Sequence, residues 1–469
     1  MVFSSMVFLW IFLPVVFVLS LLIRKPQYQN ILLLIASLLF YAWGEPRNIV
    51  LLLVSITLNW LFGLLLDRHR EKGKLFLVLD ILLNLGLLGY FKYTDFFINT
   101  VNHVIPGLNI PMAGIVLPIG ISFFTFQAMS YVIDLYRGQI KVQKNLLYLA
   151  LYVSFFPQLI AGPIVKYRDI ELQIEDREVN LQKVASGFRR FIYGLGKKVL
   201  ISNLVGQAAD NLYGLDPSSL TGGMAWLCAL TYTLQIYYDF SGYSDMAIGL
   251  GRMFGFEFLE NFNYPYLSAS IREFWRRWHI SLSTWFQEYL YIPLGGNRKG
   301  NRKTYRNLLI VFFATGMWHG ASWTFIGWGL YHGFFSIIER LGLGKVLKRF
   351  RVLPHIYTML VVMIGWVFFR AESMTQSLAI VGRMFTPWLY TTSDVILGTQ
   401  VGVEAVLAMI CGILGCGLVQ AVFSKGRMAV LAKRWTGSVP EFIWCALVLA
   451  ASILMLANNT YNPFIYFRF

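Results

Sequence analysis

Charge is scarce in this chain: only 14% of its 469 residues are Asp, Glu, Lys or Arg, against roughly a quarter in an ordinary globular protein. That scarcity excludes a disordered chain and an ordinary cytosolic enzyme. Cysteine is equally sparse. Cys228, Cys411, Cys416 and Cys445 lie in apolar runs without CxxC spacing, so they read as small buried hydrophobes, not as disulfides or zinc ligands. No HExxH, no HxxxH and no histidine–carboxylate cluster occurs, and no metal is expected. GxSxG, a Walker loop and a GxGxxG with an acidic ribose partner are also missing.

What the chain has instead is apolar surface. Hydrophobic residues make up 57% and aromatic residues 16%, the latter a usage suited to membrane–water interfaces. These figures imply an all-α, multi-pass membrane protein. The net charge of +16 would suggest nucleic acid in a soluble protein. Here it reads as Lys and Arg accumulated in cytoplasmic loops, and no nucleic-acid partner is expected.

The loops also give an orientation. The run from Met6 to Ile23 has no basic residue before it and Arg24-Lys25 after it, the reverse of a cleaved signal peptide, which places the amino terminus outside. The clusters around Arg68 to Lys74, Arg137 to Lys144 and Tyr167 to Lys198 then fall inside. The run Leu146 to Ile164 is basic at both ends and contains Pro157, Gly162 and Pro163, so it reads as re-entrant. Asn307 to Ile338 also has basic flanks at both ends, and its natural break is Gly316 to Ser322. Later spans are expected at Ile356 to Phe369, Glu404 to Phe423 and Phe442 to Ala457. About ten full crossings result, in one membrane domain over residues 1–469, with both termini extracytoplasmic.

Among six histidines, His69, His103 and His355 sit in loops or at span ends and read as solvated. His319 lies at the turning point of the 307–338 run, about 12 residues or roughly 18 Å of helix from the inner basic loop. An ionisable group at that depth marks a functional path, or else a neutral imidazole satisfied by a helix carbonyl. His279 follows Arg276-Arg277-Trp278 on an amphipathic stretch and, alone, reads as interfacial. Asp239 and Asp245 in Tyr237-Tyr238-Asp239-Phe240-Ser241-Gly242-Tyr243-Ser244-Asp245 cannot face lipid. They require a cavity or a basic partner such as Arg252. The last twelve residues read, on composition, as an aromatic anchor.

Phe274-Trp275-Arg276-Arg277-Trp278-His279-Ile280-Ser281-Leu282-Ser283, followed by Met317-Trp318-His319-Gly320, resembles the membrane-bound O-acyltransferase family. Met1-Val2-Phe3-Ser4-Ser5, Phe40-Tyr41-Ala42-Trp43, Gly162-Pro163 and Tyr238 to Asp245 look like its bacterial alginate O-acetyltransferase branch, and the matches fall along nearly the whole chain, with core motifs at about 115–370. The resemblance implies a bacterial cell-membrane enzyme whose helices surround a central funnel, moving acetyl from cytosolic acetyl-coenzyme A toward an extracellular polysaccharide. No cofactor is implied. It further implies His319 and His279 as the catalytic pair, with Trp318, Asp239, Ser241, Tyr243, Asp245, Arg276 and Trp278 lining the donor path.

The final Phe464-x-Tyr466-x-x-Phe469 resembles a terminal acyl-accepting motif, which implies Tyr466 as an acyl relay. The implied partners are membrane lipid, a polysaccharide acceptor and a separate extracytoplasmic acyltransferase. The competing reading is D-alanyl transfer to teichoic acid from a phosphopantetheine carrier, an acidic protein that the basic inner face would dock. From another class, a proton-coupled transporter would use the same intramembrane His and Asp residues, but no paired interrupted helices in two halves are found.

Overall fold

The computed structural model describes residues 1–105, 107–386, 388, 397–424, 426–458 and 461–465. Every regular element among them is helical, as hydrocarbon requires, because a helix satisfies its own backbone polar groups. Among the described residues, five helices are long and apolar enough to cross a membrane: Ile49–Arg68, Arg70–Val104, Leu353–Arg370, Val403–Phe423 and Val439–Asn458, with Phe8–Leu22 a shorter apolar one. The chain divides into two compact units, Met1–Phe191 with Asp245–Leu259, and Ile192–Ser244 with Glu260–Phe469.

In the first unit, α1 (Leu13–Leu22), α2 (Pro26–Gly44), α3 (Ile49–Arg68), α4 (Gly73–Val104) and α5 (Ile121–Tyr136) precede the expected re-entrant stretch. That stretch is a broken helix, α6 (Leu146–Ser154) and α7 (Phe156–Leu159). Pro157 cannot donate to the preceding turn, and the amide of Phe156 donates instead to Ser37 Oγ at 3.1 Å. Beyond α7 the chain turns so tightly that a Cβ on Gly162 would lie 2.5 Å from Gln158 Cα, a position open only to glycine. Then come α8 (Tyr167–Glu175) and α9 (Leu181–Gly196). On α4, Asp80, Asn84 and Lys92 are buried on one helical face. Asn84 exchanges hydrogen bonds with Asn59 of α3 at 3.0 and 3.3 Å.

The second unit contains a π-helical segment, Lys197–Ser202, running into α10 (Asn203–Tyr213), and most of α11 (Gly222–Met253). It continues with α12 (Ile271–Arg277), α13 (Ile280–Phe286), α14 (Asn301–His319), α15 (Trp323–Ile338) and α16 (Leu353–Arg370). The expected turn within 307–338 is present: α14 ends at His319 and α15 resumes at Trp323. Two glycines let these helices meet backbone to backbone. A Cβ on Gly316 would stand 2.4 Å from Phe325 O, and one on Gly329 would stand 2.3 Å from Phe312 O. Ser322 caps the return helix, its Oγ accepting from Thr324 N at 3.3 Å, one of the orphan donors of a helix start.

Aromatic rings dominate the interior around this hairpin. Trp278 packs against Phe274 at 5.6 Å and Trp366 at 4.8 Å, and Trp328 stacks on Trp366 at 5.8 Å. Offset and edge contacts of this kind each add about 0.5–1.5 kcal/mol beyond the area buried.

Candidate active site

His279 joins α12 to α13 and is fully buried, with φ of +43°. A non-glycine residue in the left-handed region is held there against about 1–3 kcal/mol of strain, and such residues cluster at functional sites. Asn261 does the holding. Its carbonyl accepts from Ile280 N at 2.9 Å, and its side-chain oxygen accepts from Ser281 N at 3.2 Å and Ser281 Oγ at 2.9 Å. Asn261 Nδ2 in turn donates to Ser244 Oγ at 3.0 Å.

The same Asn261 oxygen lies 3.2 Å from His279 Nδ1. An amide oxygen only accepts, so Nδ1 carries the proton. Nε2 therefore carries the lone pair, and among the described residues it has no hydrogen-bond partner. In the neutral form of this ring, the base-competent nitrogen is thus unclaimed among the described residues. Nothing in the sequence around Asn261 forms a motif, and its role was not legible there.

His319 stands at the last residue of α14, 5% exposed. Rings surround it: Trp318 at 4.9 Å, Trp328 at 5.1 Å and Phe369 at 5.1 Å. Trp318 lies between the two histidines, since its ring is also 5.9 Å from that of His279. His332, to which the sequence reading gave no role, is buried one helix away, with Trp328 (5.3 Å) and Trp275 (5.1 Å) on its ring.

The second unit also holds a cavity of about 930 Å³, within the size of small-molecule sites. Its cationic lining is Arg272, Arg276, Arg340, Lys345, Lys348 and Arg351, and its carboxylates are Glu273 and Glu339. Glu273 bonds Arg277 Nε at 2.9 Å, and Glu339 accepts from Ile271 N at 2.6 Å at the start of α12, so the two carboxylates leave the cavity with an excess of cations. Burial raises the Glu339 carboxyl above its usual range. The Arg272 guanidinium is held below its usual value, first by burial and then by Arg276 and Arg340, the crowding an anion would relieve. Trp275, Leu282, Phe286 and Phe312 make the apolar wall. Ser283 and Thr315 also line it. Ser283 N donates to the His279 carbonyl at 3.0 Å, and Thr315 precedes His319 by one turn, so the lining comes within a turn of each histidine. A second cavity, about 360 Å³, shares Arg272, Gln287, Tyr291 and Arg340 and adds Arg298.

The remaining sequence-selected residues are distributed as follows. Arg276 lines the cavity, whereas Trp278 belongs to the aromatic core. Asp239 pairs with Lys198 at 2.5 Å, and Asp245, which lies in the first unit, pairs with Arg190 at 2.8 Å. These are the basic partners, in place of Arg252. Ser241 is buried, and the Tyr243 ring lies 4.7 Å from that of Phe464. Tyr466 lies outside the described residues. Among the described residues, no cluster of His, Cys, Asp and Glu is placed to hold a metal.

The sequence pattern of the membrane-bound O-acyltransferase family matches residues 139–381. A probable alginate O-acetylase of Azotobacter vinelandii is 41% identical over the full length of both chains. A peptidoglycan O-acetyltransferase of Helicobacter pylori is 39% identical, over 82% of this chain and 80% of its own. A teichoic acid D-alanyltransferase of Bacillus subtilis is 30% identical, over 46% of this chain and 56% of its own.

Proposed function

This chain belongs to the membrane-bound O-acyltransferase family, and we propose that it moves acetyl from cytosolic acetyl-coenzyme A to hydroxyls of an extracytoplasmic polysaccharide. The observation that carries the proposal is the cation-lined cavity whose lining comes within a helical turn of both buried histidines. The phosphates of the donor suit the cationic mouth, and its pantetheine arm suits the apolar wall. That orientation brings the thioester carbonyl up toward Trp318. About ten crossings, a central funnel and extracytoplasmic termini in a bacterial cell membrane complete this reading.

In the reaction, His319 takes the proton of the attacking hydroxyl. The new C–O bond forms, the C–S bond breaks, and the proton passes to the departing thiolate sulfur. The His279 tautomer makes Nε2 an acceptor. Polarising a carbonyl would need an N–H at that atom, so His279 orients a hydroxyl or thiol proton. Tyr466 is the proposed first acyl acceptor, which passes the group to an extracytoplasmic transferase and so to the polymer.

The decisive test compares thiol release from acetyl-coenzyme A by purified wild-type and His319→Ala proteins of equal abundance and thermal stability. Loss of release in the variant is expected. Undiminished release would overturn the role of His319. Absence of release by the wild type, with transfer restored from an acyl-loaded carrier protein, would instead establish D-alanyl-type chemistry. Flux without thioester consumption would make the protein a transporter.

A further inference from the structure

Residues 461–465 are gripped by the second unit at successive positions. Tyr461 OH donates to Asp210 Oδ2 at 2.7 Å, while Arg370 holds Asp210 Oδ1 at 2.7 Å. Asn203 Nδ2 donates to Asn462 Oδ1 at 3.3 Å. Phe464 and Ile465 are 5% and 3% exposed. Between and beyond these side-chain contacts, the backbone itself is bound. The Pro463 carbonyl accepts from Lys198 Nζ, and Ile465 N donates to Asp239 Oδ2 at 2.8 Å.

Lys198 and Asp239 are 4% and 1% exposed. Burying two charges costs several kcal/mol per ion, which their mutual attraction offsets only when the remaining lone pairs and protons are also satisfied. Here the peptide adds one bond to each partner, a carbonyl on the ammonium and an amide on the carboxylate. The local chain is built for this meeting. Lys198 sits in the π-helical segment 197–202, an irregularity frequent at functional sites. Gly242, one turn after Asp239, lets α11 close on it, because a Cβ there would stand 2.8 Å from Gly194 O and 3.2 Å from Lys198 N.

We infer that Lys198 and Asp239 form a main-chain clamp, a binding site for an extended peptide, which seats residues 463–465. The clamp reads backbone at 463 and 465, while Tyr243 against Phe464 supplies the side-chain selectivity. Both clamp residues are positioning residues. The inference deepens the relay reading of Tyr466, but its physical claim concerns 461–465 alone.

The competing explanation is an ion pair that merely stabilises the fold, and hydrogen exchange on the full chain in detergent separates the two. In Lys198→Met, the amides of 461–465 should exchange at least about tenfold faster, while peptides from α10 and α11 keep wild-type protection. The double swap Lys198→Glu with Asp239→Lys restores opposite charges but sets carboxylate against carbonyl and ammonium against amide. It should release 461–465 just as fully. Wild-type exchange of 461–465 in the swapped protein would overturn the clamp. If α10 and α11 lose protection in these proteins, the isosteric Asp239→Asn decides. A rise of at least about threefold confined to 461–465 supports the clamp, and unchanged exchange there refutes it. Faster exchange with undiminished acyl transfer would leave the clamp standing and remove Tyr466 from the reaction.

Discussion

The second unit handles charge in two opposite ways. In the cavity, six cationic side chains face two carboxylates that are occupied with Arg277 and with the start of α12. At the clamp, one ammonium meets one carboxylate, and the peptide backbone adds a bond to each. An excess of one sign left open to solvent is a standing attraction for a visiting anion. A balanced, buried pair with a backbone bond on each partner suits a resident. On the proposed function, the same unit thus separates a site for a ligand that comes and goes from a site for a segment of its own chain.

The largest effect should come from breaking the balanced site. Asp239→Ala leaves Lys198 buried and uncompensated, a loss of about 3–5 kcal/mol, read as a fall in the thermal midpoint in detergent. Arg276→Ala, in the open cavity, should shift stability by no more than about 0.5 kcal/mol. Equal losses at the two positions would erase the contrast. Next comes the chemistry between them. Asn261→Ala frees the His279 ring and should lower kcat by about 10²-fold, with little change in KM for acetyl-coenzyme A. A variant that instead raises KM alone would place His279 on the donor side. The smallest effect sharpens the cavity side. Arg276→Ala with Arg340→Ala should raise KM for acetyl-coenzyme A about tenfold at low salt, and the gap should narrow at high salt as screening grows. Exchange of 461–465 should stay indifferent to salt. A clamp as salt-sensitive as the cavity would show that its charges are not sealed from solvent.

The sequence made the helical membrane architecture legible, and it also located the turns. Gly316 to Ser322 and Pro157 to Gly162 announce themselves because glycine and proline act locally on the backbone. Trp318 and the two histidines were legible through their motifs. Partners distant in sequence were not. Asp239 announced its need for a counter-charge, but nothing local pointed 41 residues back to Lys198, a lysine that sits in a stretch the loop rule assigns to the cytoplasm. Asn261 was hidden for a different reason: its work is done by a side-chain oxygen and a backbone carbonyl at a kink, and neither leaves a periodic trace. His332 lies on α15 among tryptophans, and its burial follows only from how the hairpin packs.

The glycine contacts within that hairpin bear on how an acyl group could travel. With Gly316 against the Phe325 carbonyl and Gly329 against that of Phe312, α14 and α15 are interlocked at two levels, and neither helix can slide along the other without a steric collision. His319, the last residue of α14, stands at the end of this interlocked pair. On the proposed mechanism, any distance covered during turnover then belongs to the reactants, the long flexible arm of the donor and the acceptor hydroxyl, which meet at His319.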